Sequence, residues 1–372
     1  MLLVGEDKDV ILKAIQDVGT ELIIVGSFGD LERVEDTWLA EKFAAGEVEG
    51  NWCTFAEVVE FEYSSEADDD VGIPIIPTKK TVGIQRAIDY GIQNVILEIN
   101  CNCVNWDRIE KLETDPQRRD NHQRLKEHVD ALIAFLRRSI SKEVKVFVNF
   151  RDMMSAWVDC SGLRARQRML HLAEHLTQLD QKIYGFLFED PGGDVFPWDF
   201  IEPVSLFRGI MNANGWAHGH FLVHIHKKFG LADAAVLECL AHGCNGLWGA
   251  ASTSGAGVGH ACSLVTLTNL ARLGNPHVEQ MYNMPALYKA AVVVTKRSEN
   301  RDPYANEEVI GSNAVHVVFG AAGAMSGDQS FDLAKFLGRE ETVRITTFTD
   351  ADMMADHLSE LFGKYVMLKL VD

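Results

Sequence analysis

Two periodicities alternate along the chain. Apolar residues recur on helical spacing over 9–18 (Val10, Leu12, Ile15 and Val18), and an apolar run rich in β-branched residues, ELIIVGS, follows at 21–27. The same exchange predicts helices over 81–90, 121–139, 164–179, 201–212 and 231–242. It predicts strands over 58–63, 94–100, 144–150, 183–189, 218–226 and 246–251. Strands and helices alternating at this length build a parallel sheet covered by helices, either open and doubly wound or closed into a barrel. No G-x-G-x-x-G follows the first strand, which speaks against the dinucleotide-binding version. Polar residues gather where strands end: Arg151 and Asp152, Glu189 and Asp190, His224 and His226. That placement favours a (β/α)8 TIM barrel, whose βα loops carry the site. Beyond residue 272 the rhythm changes: a turn at Asn275-Pro276, a helix over 285–296, a polar loop, and a mixed region ending in a helix over 350–362. The expected organisation is a barrel domain over 1–272 and a small C-terminal α+β appendage over 273–372.

Composition narrows the class. Apolar residues make up 47% and charged residues 24% of 372, the balance of a globular protein with a large core. The net charge of −19 repels phosphate backbones, and no basic stripe interrupts it, so nucleic acid is not an expected partner. No apolar run reaches the roughly 18 to 20 residues that span a bilayer. The start, apolar from Leu2 to Val4 and then acidic at Glu6, Asp7 and Asp9, lacks the basic opening of a signal peptide. Seven scattered cysteines point to a reducing compartment, and the cytoplasm is expected. Cys101 and Cys103 share one strand face but have no second pair to complete a zinc site, so they read as buried small hydrophobes.

The sharpest local signal is His224-Ile225-His226 at the end of an apolar strand. Residues i and i+2 face the same way, so both imidazoles can reach one point, a pattern suited to a divalent transition metal. A solvent-wetted strand end is the plainer alternative, since His218 and His220 repeat the spacing. One βα unit later comes the loop Gly255-Ala256-Gly257-Val258-Gly259-His260. Glycines at alternate positions let backbone approach a bound group, and His260 can reach a metal held by the neighbouring strand. His171 and His175 sit at i and i+4 on a helix without the Glu of a metalloprotease, and read as surface. The acidic run Asp68 to Asp70 reads as a solvated loop.

The stretch from His224 to Gly274 resembles the metal-binding half of the HMGL-like (DRE-TIM) metallolyase barrels. These include isopropylmalate and homocitrate synthases, hydroxymethylglutaryl-CoA lyase and 4-hydroxy-2-oxovalerate aldolase. The H-x-H, the GLA that follows, the helix ending in Gly and the glycine loop stand in that family's order, and the loop is closest to the aldolase form. FLFEDPGGDVFP (186–197), VNFRD (148–152) and NVILEINCNCVNWDRIEKL (94–112) resemble the preceding strands. MPALYKAAVVV and VIGSNAVHVVFG resemble the linker subdomain of the synthases.

The resemblance implies a divalent metal (Mn, Zn, Mg or Co) on His224 and His226, binding a 2-keto or 2-hydroxy acid. It implies carbon–carbon bond formation by a Claisen-type acyltransferase like isopropylmalate synthase, with acyl-CoA as co-substrate. The alternatives are an aldolase or lyase cleaving a hydroxy-keto acid, and a catalytically silent barrel kept for binding or regulation. His260 is then a third ligand or an acid/base. Asp190 orients a ligand histidine, contacts substrate, or simply caps its turn. Arg151 neutralises a substrate carboxylate or pairs with a rim residue. Gly255, Gly257, Gly259 and Asp152 are expected to bind substrate, and a homodimer is implied. The chain also departs from the family. The Arg-Asp pair of the first strand has no counterpart, so that strand is expected to be missing or degenerate. The family's Glu on the second strand falls at Ile24, its substrate-turn Thr at Pro191 and its loop Asn at His260. The synthases' loop Glu falls at Ala256, the lyase's loop cysteine is missing, and the synthases' linker His falls among Ala321 to Gly323. These departures imply a divergent member.

Overall fold

A computed structural model describes residues 5–28, 34–47, 51–58, 60–62, 73–75, 81–101, 121–158, 163–255, 257–318, 331–340, 342–344 and 351–363. Cys103, the run Asp68 to Asp70, Ala256 and Ala321 to Gly323 lie outside these residues. The chain divides into two compact units: one holds Thr20–Ala261, the other Glu6–Gly19 together with Cys262–Asp372.

The larger unit is built on strands β1 (Ile23–Phe28), β2 (Trp52–Glu57), β5 (Asn94–Asn100), β6 (Val146–Arg151), β7 (Gly185–Asp190), β8 (His220–Ile225) and β9 (Gly246–Leu247). They pair in parallel in the order β1-β2-β5-β6-β7-β8-β9, sequence order throughout, as helical crossovers require. Strands β3 (Glu60–Glu62) and β4 (Ile73–Ile75) form a separate antiparallel pair. The strand expected over 58–63 is found, shortened to β3 and paired outside the main sheet. The sheet takes Trp52–Glu57, whose Trp52, Cys53, Thr54 and Ala56 are buried, and the acid-alternating EFE leaves it. The strand expected over 246–251 ends at Leu247, although Trp248 N still donates to Val223 O.

Alternation along the strands sorts side chains to two faces. Cys53, Ile96, Phe147, Leu187, Leu222 and Trp248 make one buried cluster, with Leu22, Ile24, Phe55 and Tyr184 packed against it. Residues from β1 and from just past β9, the two ends of the strand order, can share one cluster only if the sheet curls onto itself. The N-terminal rim is tied the same way: Glu21, before β1, takes Lys145 Nζ at 2.8 Å and the Tyr184 hydroxyl, from the starts of β6 and β7. The architecture is a TIM-barrel-like α/β half-barrel with seven parallel strands among the described residues. Across β6 to β8 the outer face carries an aromatic cluster. Phe207, on the helix Ile201–Ala213, lies 5.0 Å from the Phe150 ring, 5.3 Å from Phe188 and 6.2 Å from Phe186.

The smaller unit joins the first helix, Gly5–Gln16, to helices of the C-terminal third. Asn283 accepts from Ala286 N at 3.1 Å, capping the helix Met284–Glu299, and donates its own N–H to Val18 O. Arg297 reaches Asp7 at 3.0 Å. A two-stranded parallel pair, β10 (His316–Val318) with β11 (Thr342–Arg344), completes its described elements.

Candidate metal centre

The inward-facing positions change character towards the C-terminal ends of the strands. Below lie Cys53, Ile96 and Phe147. Above them register aligns Glu57 with Glu98 and Asn149, and then Asn100 with Arg151, Glu189 and His224. His226 follows β8 on the same parity. His260 arrives by a different route: the loop after β9 folds back so that His226 and His260 form an antiparallel bridge. Lys227 N donates to Gly259 O and Ala261 N to Ile225 O, each at 2.9 Å, which pins the loop's end along the end of β8.

Two loop glycines make this return possible. A Cβ on Gly255 would stand 2.6 Å from His260 Nδ1, so only glycine leaves room for the ring. Gly259 has φ +86, and a Cβ there would meet Thr253 O at 2.4 Å. Gly257 lies with its Cβ position 4.0 Å from His226 Nδ1.

The three imidazoles converge. One nitrogen from each of His224, His226 and His260 lies within 4.8 Å of the others. Ring centroids are 4.4 Å apart for His224–His260 and His226–His260, and 5.1 Å for His224–His226. His224 Nδ1 lies 2.9 Å from Trp248 O, a carbonyl that can only accept, so Nδ1 carries the proton and Nε2 keeps its lone pair. His260 Nε2 is buried and meets no hydrogen-bond partner among the described residues. Burial lowers all three pKa values. The companion rings push further, taking His226 down to about 4 and His260 to about 3. Three neutral imidazoles are therefore presented at neutral pH, the form that ligates metal. An unpartnered buried ring nitrogen, a tautomer fixed by a backbone carbonyl and an all-nitrogen donor set fit a borderline transition ion with positions left open.

Around the triad, Arg151 bridges two carboxylates: NH1 donates to Glu98 Oε1 at 3.0 Å, and Nε stands 3.5 Å from Glu189 Oε1. Burial pushes Glu98 up to about 7, with Arg151 opposing and Glu189 reinforcing. Burial raises Glu189 as well. Asn149 Nδ2 donates to Glu189 Oε2 at 2.5 Å. Asp190 has the opposite parity to Glu189; its Oδ1 accepts from Gly192 N at 3.2 Å, and burial pushes it up to about 6. Asp152 sits past the end of β6 at φ 56, its N–H donating to Glu189 O; burial, with Asp190 adding, takes it to about 6.

The structure thus brings His224, His226 and His260 together and places Arg151 in an ion-pair network beside them. It sets Asp190 at the end of β7 and Asp152 just past the end of β6, next to that network. Glu98, Asn149 and Glu189 are the neighbours that sequence reasoning left without a role. The signal that marks them is a polar residue at the inward parity of an otherwise apolar strand. Elsewhere, Cys101 is buried with Sγ donating to Ile99 O, and His175 pairs with Asp130 on the outer helices. No helix among the described residues is long and apolar enough to cross a membrane.

No protein-family model matches the chain, and no curated protein matches it significantly. Solved structures do match in fold. An HMG-CoA lyase from Acinetobacter baumannii, solved with coenzyme A and 3-methylmalate, has TM-score 0.54 and 14% identity over 82% of this chain and 88% of its own. HMG-CoA lyases from Brucella melitensis and Pseudomonas aeruginosa each give 0.52 at 14% identity. They cover 80% and 79% of this chain, and 93% and 86% of their own. The fold that the His224–Gly274 resemblance implies is the fold the chain has.

Proposed function

We propose that this chain is a divalent-metal enzyme that makes or breaks a carbon–carbon bond beside a carbonyl, acting on a 2-keto or 2-hydroxy acid or its coenzyme A ester. The carrying observation is the convergence of His224, His226 and His260 at the C-terminal end of a parallel half-barrel, the end where barrels of this kind place their chemistry. A bound ion would supply Lewis acidity to a carbonyl oxygen. The protein does the rest. Trp248 O holds the His224 ring in one tautomer, Gly255 leaves room for His260, and the His226–His260 bridge fixes the spacing of the two loops. Arg151, pinned by Glu98, presents a guanidinium beside the centre for the substrate's carboxylate.

The condensing, acyl-CoA-dependent direction follows the likeness of 284–294 and 309–320 to the synthase linker. The cleaving direction follows the fold shared with HMG-CoA lyases, one of them solved with coenzyme A. Binding without turnover is a second reading, favoured by Ile24 packed on the barrel core and Pro191 in the turn after β7, where the family carries Glu and Thr. Manganese-, cobalt- or zinc-loaded protein, assayed for cleavage of hydroxy-keto acids and for free thiol released from acyl-CoA with keto acids, separates these readings. Turnover that falls at least ~100-fold in His226→Ala, on the scale of losing an essential electrostatic group, is expected. Full metal occupancy without turnover on either substrate set would leave the binding reading.

A further inference from the structure

Glu189 has no part in the reading above, yet its surroundings call for one. It faces inward on β7, in register with His224, and is 6% exposed. Both oxygens are held, Oε1 3.5 Å from Arg151 Nε and Oε2 2.5 Å from Asn149 Nδ2. Oε1 also stands 4.0 Å from His226 Nε2. A carboxylate is buried at a cost unless an opposite charge offsets it. Arg151 is the cation at hand, but its NH1 already binds Glu98 at 3.0 Å. One guanidinium faces two buried carboxylates, so pairing with Arg151 does not by itself account for Glu189. When both carboxylates are ionised, the surplus negative charge sits against the imidazole cluster, where a dication would balance it. Asp190, the next residue, has the opposite parity and spends Oδ1 on Gly192 N.

We propose that Glu189 is a positioning residue of the metal centre: fixed by Arg151 and Asn149, its carboxylate faces the His226 ring and offsets the charge of the ion, drawing the ring into place when the ion binds. This rests on the metal-centre reading. Carboxylates that orient ligand histidines typically contribute 10- to 100-fold to metal affinity.

Cobalt(II) titration of the full chain, followed by its visible d–d bands and by competition with a chelator, tests it. Glu189→Gln is expected to bind cobalt roughly 10- to 100-fold more weakly than wild type and with shifted bands. Glu189→Asp, which keeps the charge, should recover part of that affinity. Asp130→Asn, which breaks the His–carboxylate pair on the outer helices, should bind as wild type does. Wild-type affinity and bands in Glu189→Gln would overturn the proposal and leave the metal centre standing. If Glu189→Gln does not fold by circular dichroism, Glu189→Asp decides: weaker binding with shifted bands supports the proposal, and unchanged binding overturns it. A wild type that takes up no cobalt sinks the metal centre, and this proposal falls with it.

Discussion

At the scale of single residues, the centre depends on how closely backbone approaches the rings. Gly255→Ala would put a methyl 2.6 Å from His260 Nδ1 and 2.8 Å from its Cγ, so the ring must move. Metal affinity is expected to fall at least ~10-fold while the melting temperature of the metal-free protein changes little; unchanged affinity would show that His260 is not a ligand. Glu98 gives a pH signature. Its native pKa of about 7 lies above the ordinary value of 4.5. Its stabilising contribution is therefore full below 4.5 and disappears as pH rises through 7. Glu98→Gln, which resembles the protonated acid, should gain stability relative to wild type as pH is raised from 5 to 8. A difference in melting temperature that is constant across that range would contradict the assignment. The histidines act oppositely: their contribution is present above 6.5 and lost as pH falls through about 4 for His226 and about 3 for His260. His224 and His226 could be read from the sequence because i, i+2 spacing on a strand means one face whatever the fold. Glu189 was legible as a polar strand end and Glu98 as a polar break in an apolar strand, but not the role of either among 54 acidic residues. Only the register of β5, β6 and β7 shows that they share a face with Arg151.

At the scale of elements, the helices followed their periodicity closely: 121–139 was expected and Asn121–Ser139 is found, and 201–212 became Ile201–Ala213. The helix Val34–Ala44 and strand β2 were missed together. WCTFAE is short, mixes aromatic and small residues and lacks a β-branched run, so only its pairing with β1 and β5 makes it a strand. What attaches the Ile201–Ala213 helix to the sheet is aromatic packing. Phe207 is fully buried and touches rings from three strands, Phe150 of β6, Phe186 and Phe188 of β7 and Phe221 of β8. Phe207→Ala should cost ~3–5 kcal/mol in urea unfolding. A cost below ~1 kcal/mol would mean that the Ile201–Ala213 helix is held some other way.

At the scale of the whole molecule, the barrel was legible because strand–helix alternation and polar strand ends both pointed to it. The described residues include seven parallel strands, and Glu21 ties the start of β1 to the starts of β6 and β7 at the N-terminal rim. The grouping of Glu6–Gly19 with the residues after Cys262 was not legible, because a helix pattern does not say which distant segment it packs on. A net charge of −19 suits the account, since a dication gathered by neutral imidazoles enters an acidic molecule with favourable long-range attraction. The most direct measurement is elemental analysis of the purified chain beside His224→Ala/His226→Ala, each equilibrated with manganese, zinc or cobalt and then desalted. The account predicts about one tightly held divalent ion per wild-type chain and none in the double variant. Wild type that retains no ion under any of the three, or a double variant that retains as much as wild type, would contradict it.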